Sequence, residues 1–491
     1  MSHSEIERAT GLEIYEPSLT EAGGVVYFLG RRGLEKLVGC VGAGRISGQK
    51  AGEADGKPVT VGPADHANAE AIRKALDWTG PRCVGLAASV GLGDRLGLAT
   101  PGHVRAVRGS GLAAVLAQQS IREMTRTRRT PEEVMDCATW GVFQAGFRDG
   151  FGADADHLQK GEDIDATVAA GFTMFTIDPG ACVDNAADGA SHAELGEKVG
   201  SLDLAALDTR PADLTSRYVG KTFKLDGAKV HFDEAVLLRA AAKYGSAIVH
   251  TVNMYRHLQQ VATGEFELEV SVDETETPTS PAEHYFFAAE LKRLAVEWVS
   301  MAPRFVGRFE KGVDYIGDLG VFRKSFAEHV AVMKALGPYK LSIHSGSDKF
   351  SIYPTVAELA GPYVHLKTAG TSYLEAVRAI ASIDPGLFRE ILDFAHGRYG
   401  QDKATYHVSA DPGKVPAAAD LADGELAGVL DGFDGRQLLH VTFGSVLTAD
   451  GGKKFRERIL AALKQDEETH YAAVADHLRK HVESLTRTQR I

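Results

Sequence analysis

Phe266-Glu267-Leu268-Glu269-Val270-Ser271-Val272-Asp273 alternates apolar and polar side chains. A period of two marks an extended strand whose successive side chains point to opposite faces. Leu268, Val270 and Val272 belong against helices, which leaves Glu269, Ser271 and Asp273 on the other face. The same logic turns Ser342 and His344 inward in Leu341-Ser342-Ile343-His344, and His365 and Lys367 inward in Val364-His365-Leu366-Lys367. In Phe305-Val306-Gly307-Arg308-Phe309-Glu310 the two phenylalanines take the apolar side, placing Arg308 and Glu310 opposite. Thr176 and Asp178 share a parity, and His157 falls on one face with Ala153 and Ala155.

These strands belong to a longer rhythm. Strands are predicted at 83–89, 114–120, 153–158, 172–178, 266–273, 304–309, 340–344 and 363–367. Helix-like stretches lie between them at 131–147, 163–170, 233–258, 281–299, 322–336 and 371–383. Pro131, following Thr130 as N-cap, and Pro281 suit the first turn of a helix. Eight strands alternating with helices predict an α/β fold, a parallel (β/α)8 TIM-type barrel, although a doubly wound open sheet uses the same alternation. The expected organisation is a mixed N-terminal region at 1–80, with a strand near 25–29 and a helix near 64–78. A barrel follows at 81–384 with an insertion at about 181–229, and a helical extension at 385–491.

Composition sets the class. The chain has 491 residues, 44% hydrophobic and 24% charged, with a net charge of −12. That is ordinary for a soluble globular protein and excludes disordered and fibrous classes. The acidic balance argues against nucleic acid or an anionic membrane as partner, but a local cationic pocket can still take a small anion. Cys40, Cys83, Cys137 and Cys182 are widely spaced with no CxxC, which fits a reducing compartment and gives no disulfide framework. The polar start Met1-Ser2-His3-Ser4-Glu5 is not a secretory signal, and no run reaches the ~18 apolar residues of a membrane span. A cytoplasmic protein is expected, and a homo-oligomer is left open.

Ionisable groups facing a barrel axis are costly unless they pair or bind something. Any one of them reads equally well as a structural ion pair or a solvated tip. Their collection at the C-terminal ends of several strands is where barrel enzymes hold their chemistry. His157, His344 and His365, with the carboxylates Glu123, Glu269, Asp273 and Glu310, can supply a mixed nitrogen and oxygen site for Zn²⁺, Mn²⁺, Co²⁺ or Ni²⁺. Arg95, Arg122, Lys160, Arg308, Lys349 and Lys367 cluster near strand tips and together suit a carboxylate-bearing ligand. Gly91-Leu92-Gly93-Asp94-Arg95-Leu96-Gly97 only approximates a dinucleotide loop and lacks the acidic residue about 20 positions on, so no nicotinamide is expected. There is no Walker A loop, no GxSxG and no nucleophilic Cys/His pattern.

Several blocks carry a family resemblance. Gly93-Asp94-Arg95-Leu96-Gly97-Leu98-Ala99-Thr100-Pro101-Gly102-His103, Gln118-Gln119-Ser120-Ile121-Arg122-Glu123 and Ser271-Val272-Asp273-Glu274-Thr275-Glu276-Thr277-Pro278-Thr279 resemble the tagaturonate epimerase family. So do Phe309-Glu310-Lys311-Gly312-Val313-Asp314-Tyr315 and Ile343-His344-Ser345-Gly346-Ser347-Asp348-Lys349-Phe350. The resemblance spans about 90 to 370 and is looser outside it. It implies interconversion of D-tagaturonate and D-fructuronate with a divalent metal, and allows activity on fructose and tagatose.

The inverted centre would be carbon 4 of the ketose, one bond too far from the carbonyl for simple α-deprotonation. Retro-aldol cleavage between carbons 3 and 4 gives an enediolate and an aldehyde, which turns and re-adds on its other face. A Lewis-acid metal suits that charge, and two carboxylates suit the proton of the carbon 4 hydroxyl. The other route oxidises carbon 4 transiently and needs a hydride acceptor. Resemblance and strand parity together assign the metal to His157, His344 and either Glu310 or His365. Glu123 becomes acid or base with Glu269 or Asp273. Asp94, Arg95, Arg122, Arg308, Asp348, Lys349 and Lys367 become substrate contacts, with Arg95, Arg122 and Lys349 on the carboxylate. A metal-dependent aldolase or aldose–ketose isomerase would use the same barrel, and a non-catalytic carbohydrate-binding barrel is the reading from another class.

Overall fold

The computed structural model describes residues 3–486. Its centre is a closed ring of eight strands: β1 Ser89–Gly91, β2 Ala113–Ser120, β3 Phe151–Leu158, β4 Met174–Ile177, β5 Glu267–Ser271, β6 Ser300–Ala302, β7 Lys340–Ile343 and β8 Val364–Lys367. Every strand pairs in parallel with its neighbours in chain order, and β8 closes on β1 through His365 beside Ser89 and Lys367 beside Gly91. The alternation at 266–273 explains the layering. Leu268 and Val270 join the apolar cluster under the outer helices, while Glu269 and Ser271 are buried on the axis side.

Helix starts follow from local chemistry. Thr130 and Ser280 each cap a proline-led helix, Pro131–Ala145 and Pro281–Arg293, in a reciprocal box with Glu133 and Glu283. The helix Thr371–Ile383 coincides with its predicted span.

Two strands lie elsewhere than expected. The first is Ser89–Gly91 rather than 83–89, because Gly85, at φ +63°, turns the chain below the barrel floor. Its amide donates there to Glu267, and Arg82 donates its amide to the Phe151 carbonyl. The sixth strand is Ser300–Ala302 rather than 304–309. Pro303 has no amide hydrogen to extend the ladder. Phe305 and Phe309 instead pack with Phe322, Phe326 and Tyr315, so Arg308 and Glu310 sit in the loop after β6 rather than on a strand.

Before the barrel lies a six-stranded sheet with the helix His66–Ala75, packed on the barrel through Trp140 and Phe143. Between β4 and the long helix Glu234–Val261 come the helices His192–Gly200 and Pro211–Tyr218 and the hairpin Lys221–Leu225 with Ala228–Phe232. After Thr371–Ile383 the chain is helical, ending in Glu467–Thr486, which packs on Thr100–Val107 and Thr371–Ile383. Gly102 permits that approach, since a Cβ there would stand 2.9 Å from Val474 Cβ. Among the described residues no helix is long and apolar enough to cross a membrane.

Candidate active site

The inward side chains converge at the C-terminal end of the ring. Lys367, buried at the end of β8, is the hub: its Nζ lies 2.7 Å from Asp154 Oδ2, Asp156 Oδ1 and Glu269 Oε1, and donates to Thr176 Oγ1 at 2.7 Å. Burial opposes charge on this lysine, but three carboxylates outweigh it and hold its pKa well above the ordinary value. Gln118 adds a hydrogen bond from Nε2 to Asp156 Oδ2 at 2.8 Å.

Above this floor stand His157 and His344, with ring centroids 5.2 Å apart. Each turns Nδ1 to a carboxylate, His157 to Asp178 at 3.2 Å and His344 to Asp273 at 3.1 Å. Their Nε2 atoms face Asp156 at 3.8 Å and Glu269 at 2.6 Å. Burial works against protonating either ring, yet the carboxylates win. His344 is raised to about 9, and His157 also lies above its usual range. A surplus of carboxylate charge that holds protons on two imidazoles would equally favour a divalent cation. The chemistry of the donor set fits one. A carboxylate on Nδ1 fixes each ring, Nε2 of His344 is shared with Glu269, and one ligand atom from each of Asp156, His157 and His344 falls within 4.8 Å of the others.

Glu123 approaches from the helix after β2. Its carboxylate is 2.6 Å from Arg95, whose guanidinium stacks 3.7 Å over the Phe443 ring. Burial raises the Glu123 pKa, but the adjacent guanidinium more than offsets this and leaves it below the ordinary value. Arg122 pairs with Glu274 at 2.8 Å. Glu123, Arg95, Arg122, His157, His344 and Lys367 line one cavity, joined there by Tyr406 and His440 from the helical extension. An adjoining cavity is bounded by Asp273, Arg304, Arg308 and Lys311 and shares Lys311, His344, Ser345 and Tyr406 with the first.

Other predicted residues stand apart. His365 points inward, but its Nδ1 meets Ser89 Oγ at 2.9 Å and it borders neither cavity, so it is not grouped with the other two histidines. Burial lowers its pKa to about 3. Glu310 borders the adjoining cavity, yet its carboxylate receives the Ser409 amide and hydroxyl and the Gln437 amide at 2.7–2.9 Å. Glu269 is fully buried between Lys367 and His344 and lines neither cavity, which argues for a supporting rather than a proton-shuttling place.

Asp94 shapes its own loop by accepting the amides of Leu96, Gly97 and Ala99. Asp348 is held by Arg436 at 2.8 Å and His477 at 2.5 Å, and its amide donates to His481 Nε2. That cluster latches the last helix to the loop after β7, with Arg436 on Asp348 Oδ2 and His477 on Oδ1. Lys349 Nζ donates to the carbonyls of Glu310, Val313 and Ser347, off the cavity. Arg308 is on the rim, with 60% of its side chain exposed.

Alternation counted from His157 puts the alanines of β3 on the axis and leaves Asp154 and Asp156 outside the expected site. The aspartates face inward instead, and His157, at φ +54°, breaks the alternation so that consecutive residues both reach the site. Charged residues at alternate positions in Asp154-Ala155-Asp156 were the available signal. Tyr406 and His440 had none, since they lie in a distant helical region.

Comparisons with known proteins place the chain among sugar-acid epimerases by sequence and fold. The sequence model of one family, described as tagaturonate epimerase, matches residues 15–485. A tagaturonate/fructuronate epimerase of Thermotoga maritima is 43% identical over 484 residues, 97% of each chain. Crystal structures of a fructuronate-tagaturonate epimerase from Cohnella laeviribosi, native and complexed with one glycerol, are each 39% identical with a TM-score of 0.92, and the match covers 98% of both chains.

Proposed function

The chain belongs to the tagaturonate epimerase family, and from that premise we propose that it interconverts D-tagaturonate and D-fructuronate by inverting carbon 4, with a divalent metal in its barrel. The full-length likeness to the Thermotoga and Cohnella epimerases carries the reaction. The two carboxylate-backed histidines support the metal.

His157, His344 and the Asp156 carboxylate would hold the ion. When bound there, it supplies Lewis-acid stabilisation to the negative charge that develops at carbons 2 and 3. Glu123 and Asp273 would shuttle the carbon 4 hydroxyl proton, one on each side of the sugar. They follow β2 and β5, which lie three positions apart in the eight-membered ring. Arg95 keeps Glu123 ionised and so able to accept a proton. The contacts of Asp273 with Ser271 and His344 both fall on Oδ1, leaving Oδ2 for the substrate. Tyr406, His440 and the loop after β6 line the cavity and would hold the two halves of a cleaved sugar in one enclosure, so that the aldehyde turns rather than escapes.

The test is conversion of D-tagaturonate by metal-analysed protein in D₂O, followed by NMR with and without EDTA. D-fructuronate forming without deuterium at carbon 4, and only in the absence of chelator, is the expected result. Three-carbon fragments or D-galacturonate as the product would move the assignment to an aldolase or an isomerase.

A further inference from the structure

We propose that Lys311 is the residue that selects a carboxylated sugar over its neutral analogue, by pairing its ammonium with the substrate carboxylate. The proposal rests on the epimerase reading above and deepens it. A uronate carries its negative charge two carbons beyond the inverted centre, so the partner should lie beside the reacting groups but not among them. Lys311 occupies such a place: among the described residues it is the one lysine or arginine that borders both the catalytic cavity and the adjoining one.

The state of the other cations supports the choice. Lys367 is shared among three carboxylates, Arg95 is engaged by Glu123, and Arg122 meets Glu274 through two contacts at 2.8 and 3.3 Å. Lys367 could be recruited only by displacing a protein carboxylate, Arg122 holds Glu274 with both terminal nitrogens, and Arg95, whose Nη1 has no hydrogen-bond partner, borders the first cavity but not the adjoining one. Lys311 differs. Its Nζ donates to the Ser345 hydroxyl at 2.6 Å, and the closest carboxylate oxygen, on Glu274, is 4.0 Å away. An ammonium has three donors, so capacity remains for an anion. Ser345 follows His344 directly, and its hydroxyl therefore ties Lys311 to the reacting end of the site. Gly312 helps to set the lysine's position. It adopts φ +69°, and a Cβ there would approach His440 Nδ1 to 3.4 Å, so the chain after Lys311 turns tightly against the helical extension.

The loop itself is anchored. Arg436 Nε donates to the Gly312 carbonyl at 2.9 Å while its other nitrogens reach Asp348 and Glu375. The backbone after the lysine is thus braced, and the Ser345 hydroxyl already orients its ammonium, so less side-chain freedom is lost when it meets an anion.

The experiment compares wild-type, Lys311→Met and Lys311→Arg enzymes, all metal-loaded, on D-tagaturonate and D-tagatose. Where tagatose is not turned over, its inhibition constant against tagaturonate supplies the neutral arm. Loss of a charge-assisted contact lowers kcat/KM for the uronate in Lys311→Met by about 10- to 100-fold, mostly through KM. The fall on the neutral sugar should be several times smaller, and Lys311→Arg should keep the preference for the uronate. Equal falls on both sugars, or a Lys311→Met enzyme with wild-type uronate kinetics, would overturn the assignment. A wild-type enzyme inert on D-tagaturonate would overturn the proposed function and this inference with it, whereas an active wild type with an unselective effect of substitution overturns this inference alone.

Discussion

Oε1 of Glu269 lies 2.7 Å from Nζ of Lys367, and the same oxygen is 2.6 Å from Nε2 of His344. One carboxylate oxygen thus joins the cationic floor of the barrel to the histidine above it. Because Lys367 also holds Asp154 and Asp156, its removal would strand three buried carboxylates.

Lys367→Met should therefore destabilise the protein by about 3–5 kcal/mol, the range for breaking a buried ion pair from one side. The check is the urea midpoint at pH 7, together with circular dichroism to establish that the variant folds. A loss below about 1 kcal/mol would mean that the carboxylates take up protons at little cost. Asp154, which burial already pushes up to about 6, would be the first to do so.

Arg95 and Glu123 make a second prediction. Burial alone would raise the Glu123 pKa, and the guanidinium 2.6 Å away more than offsets it. As a general base Glu123 works in its ionised form, so activity falls as pH drops through its pKa. Arg95→Met removes the lowering influence and should shift the acidic limb of kcat against pH upward. Glu123→Gln should reduce kcat by about 10²- to 10⁴-fold at every pH. An acidic limb unmoved in Arg95→Met would take Glu123 out of the base role.

What could be read beforehand depended on whether the two faces of a strand differ in polarity. In Leu268-Glu269-Val270-Ser271 and Val364-His365-Leu366-Lys367 every second residue is strongly apolar, and the inward set is unambiguous. In Gly152-Ala153-Asp154-Ala155-Asp156 the outward residues are alanines, too small to declare a side, and the left-handed backbone at His157 adds an inward residue that no alternation allows. The sixth strand has three residues, shorter than any periodic signal, and the phenylalanines after Pro303 imitate a strand while packing as a loop. That imitation is why alternation puts Arg308 and Glu310 on a strand when they lie in a loop. The approach of Tyr406 and His440 to the cavity is set by the packing of the helical extension, which sequence spacing does not encode.

The histidines can be separated by metal content. His157→Ala and His344→Ala should each lose the ion, and added metal should raise the melting temperature of the wild type but not of these variants. His365→Ala should retain it, because that ring faces Ser89 outside both cavities. Elemental analysis after dialysis reads the difference. A wild-type metal load in His344→Ala would remove that residue from the ligand set.

The last prediction concerns acid. His103, His329, His470 and His481 are fully or almost fully buried, and burial lowers each to about 4. In the unfolded chain a histidine titrates near 6.5. Between about 6.5 and 4 the unfolded state therefore binds protons that the folded state refuses, and stability falls as pH falls. The contribution is intact above 6.5 and is lost progressively toward 4, at up to about 1.4 kcal/mol per pH unit for each ring. His344 runs the other way in the metal-free protein. Raised to about 9, it stabilises fully below 6.5 and loses that contribution as pH climbs toward 9. The unfolding free energy of the metal-free protein should then peak near neutrality and drop steeply on the acid side. His103 accepts or donates a single 2.6 Å hydrogen bond with Ser372, so His103→Gln can keep a polar partner while removing the titration. Urea melts from pH 7 to 5 should show a slope shallower by about 1 kcal/mol per pH unit in that variant. An unchanged slope would mean that His103 is protonated in the folded state and that other groups govern the acid limb.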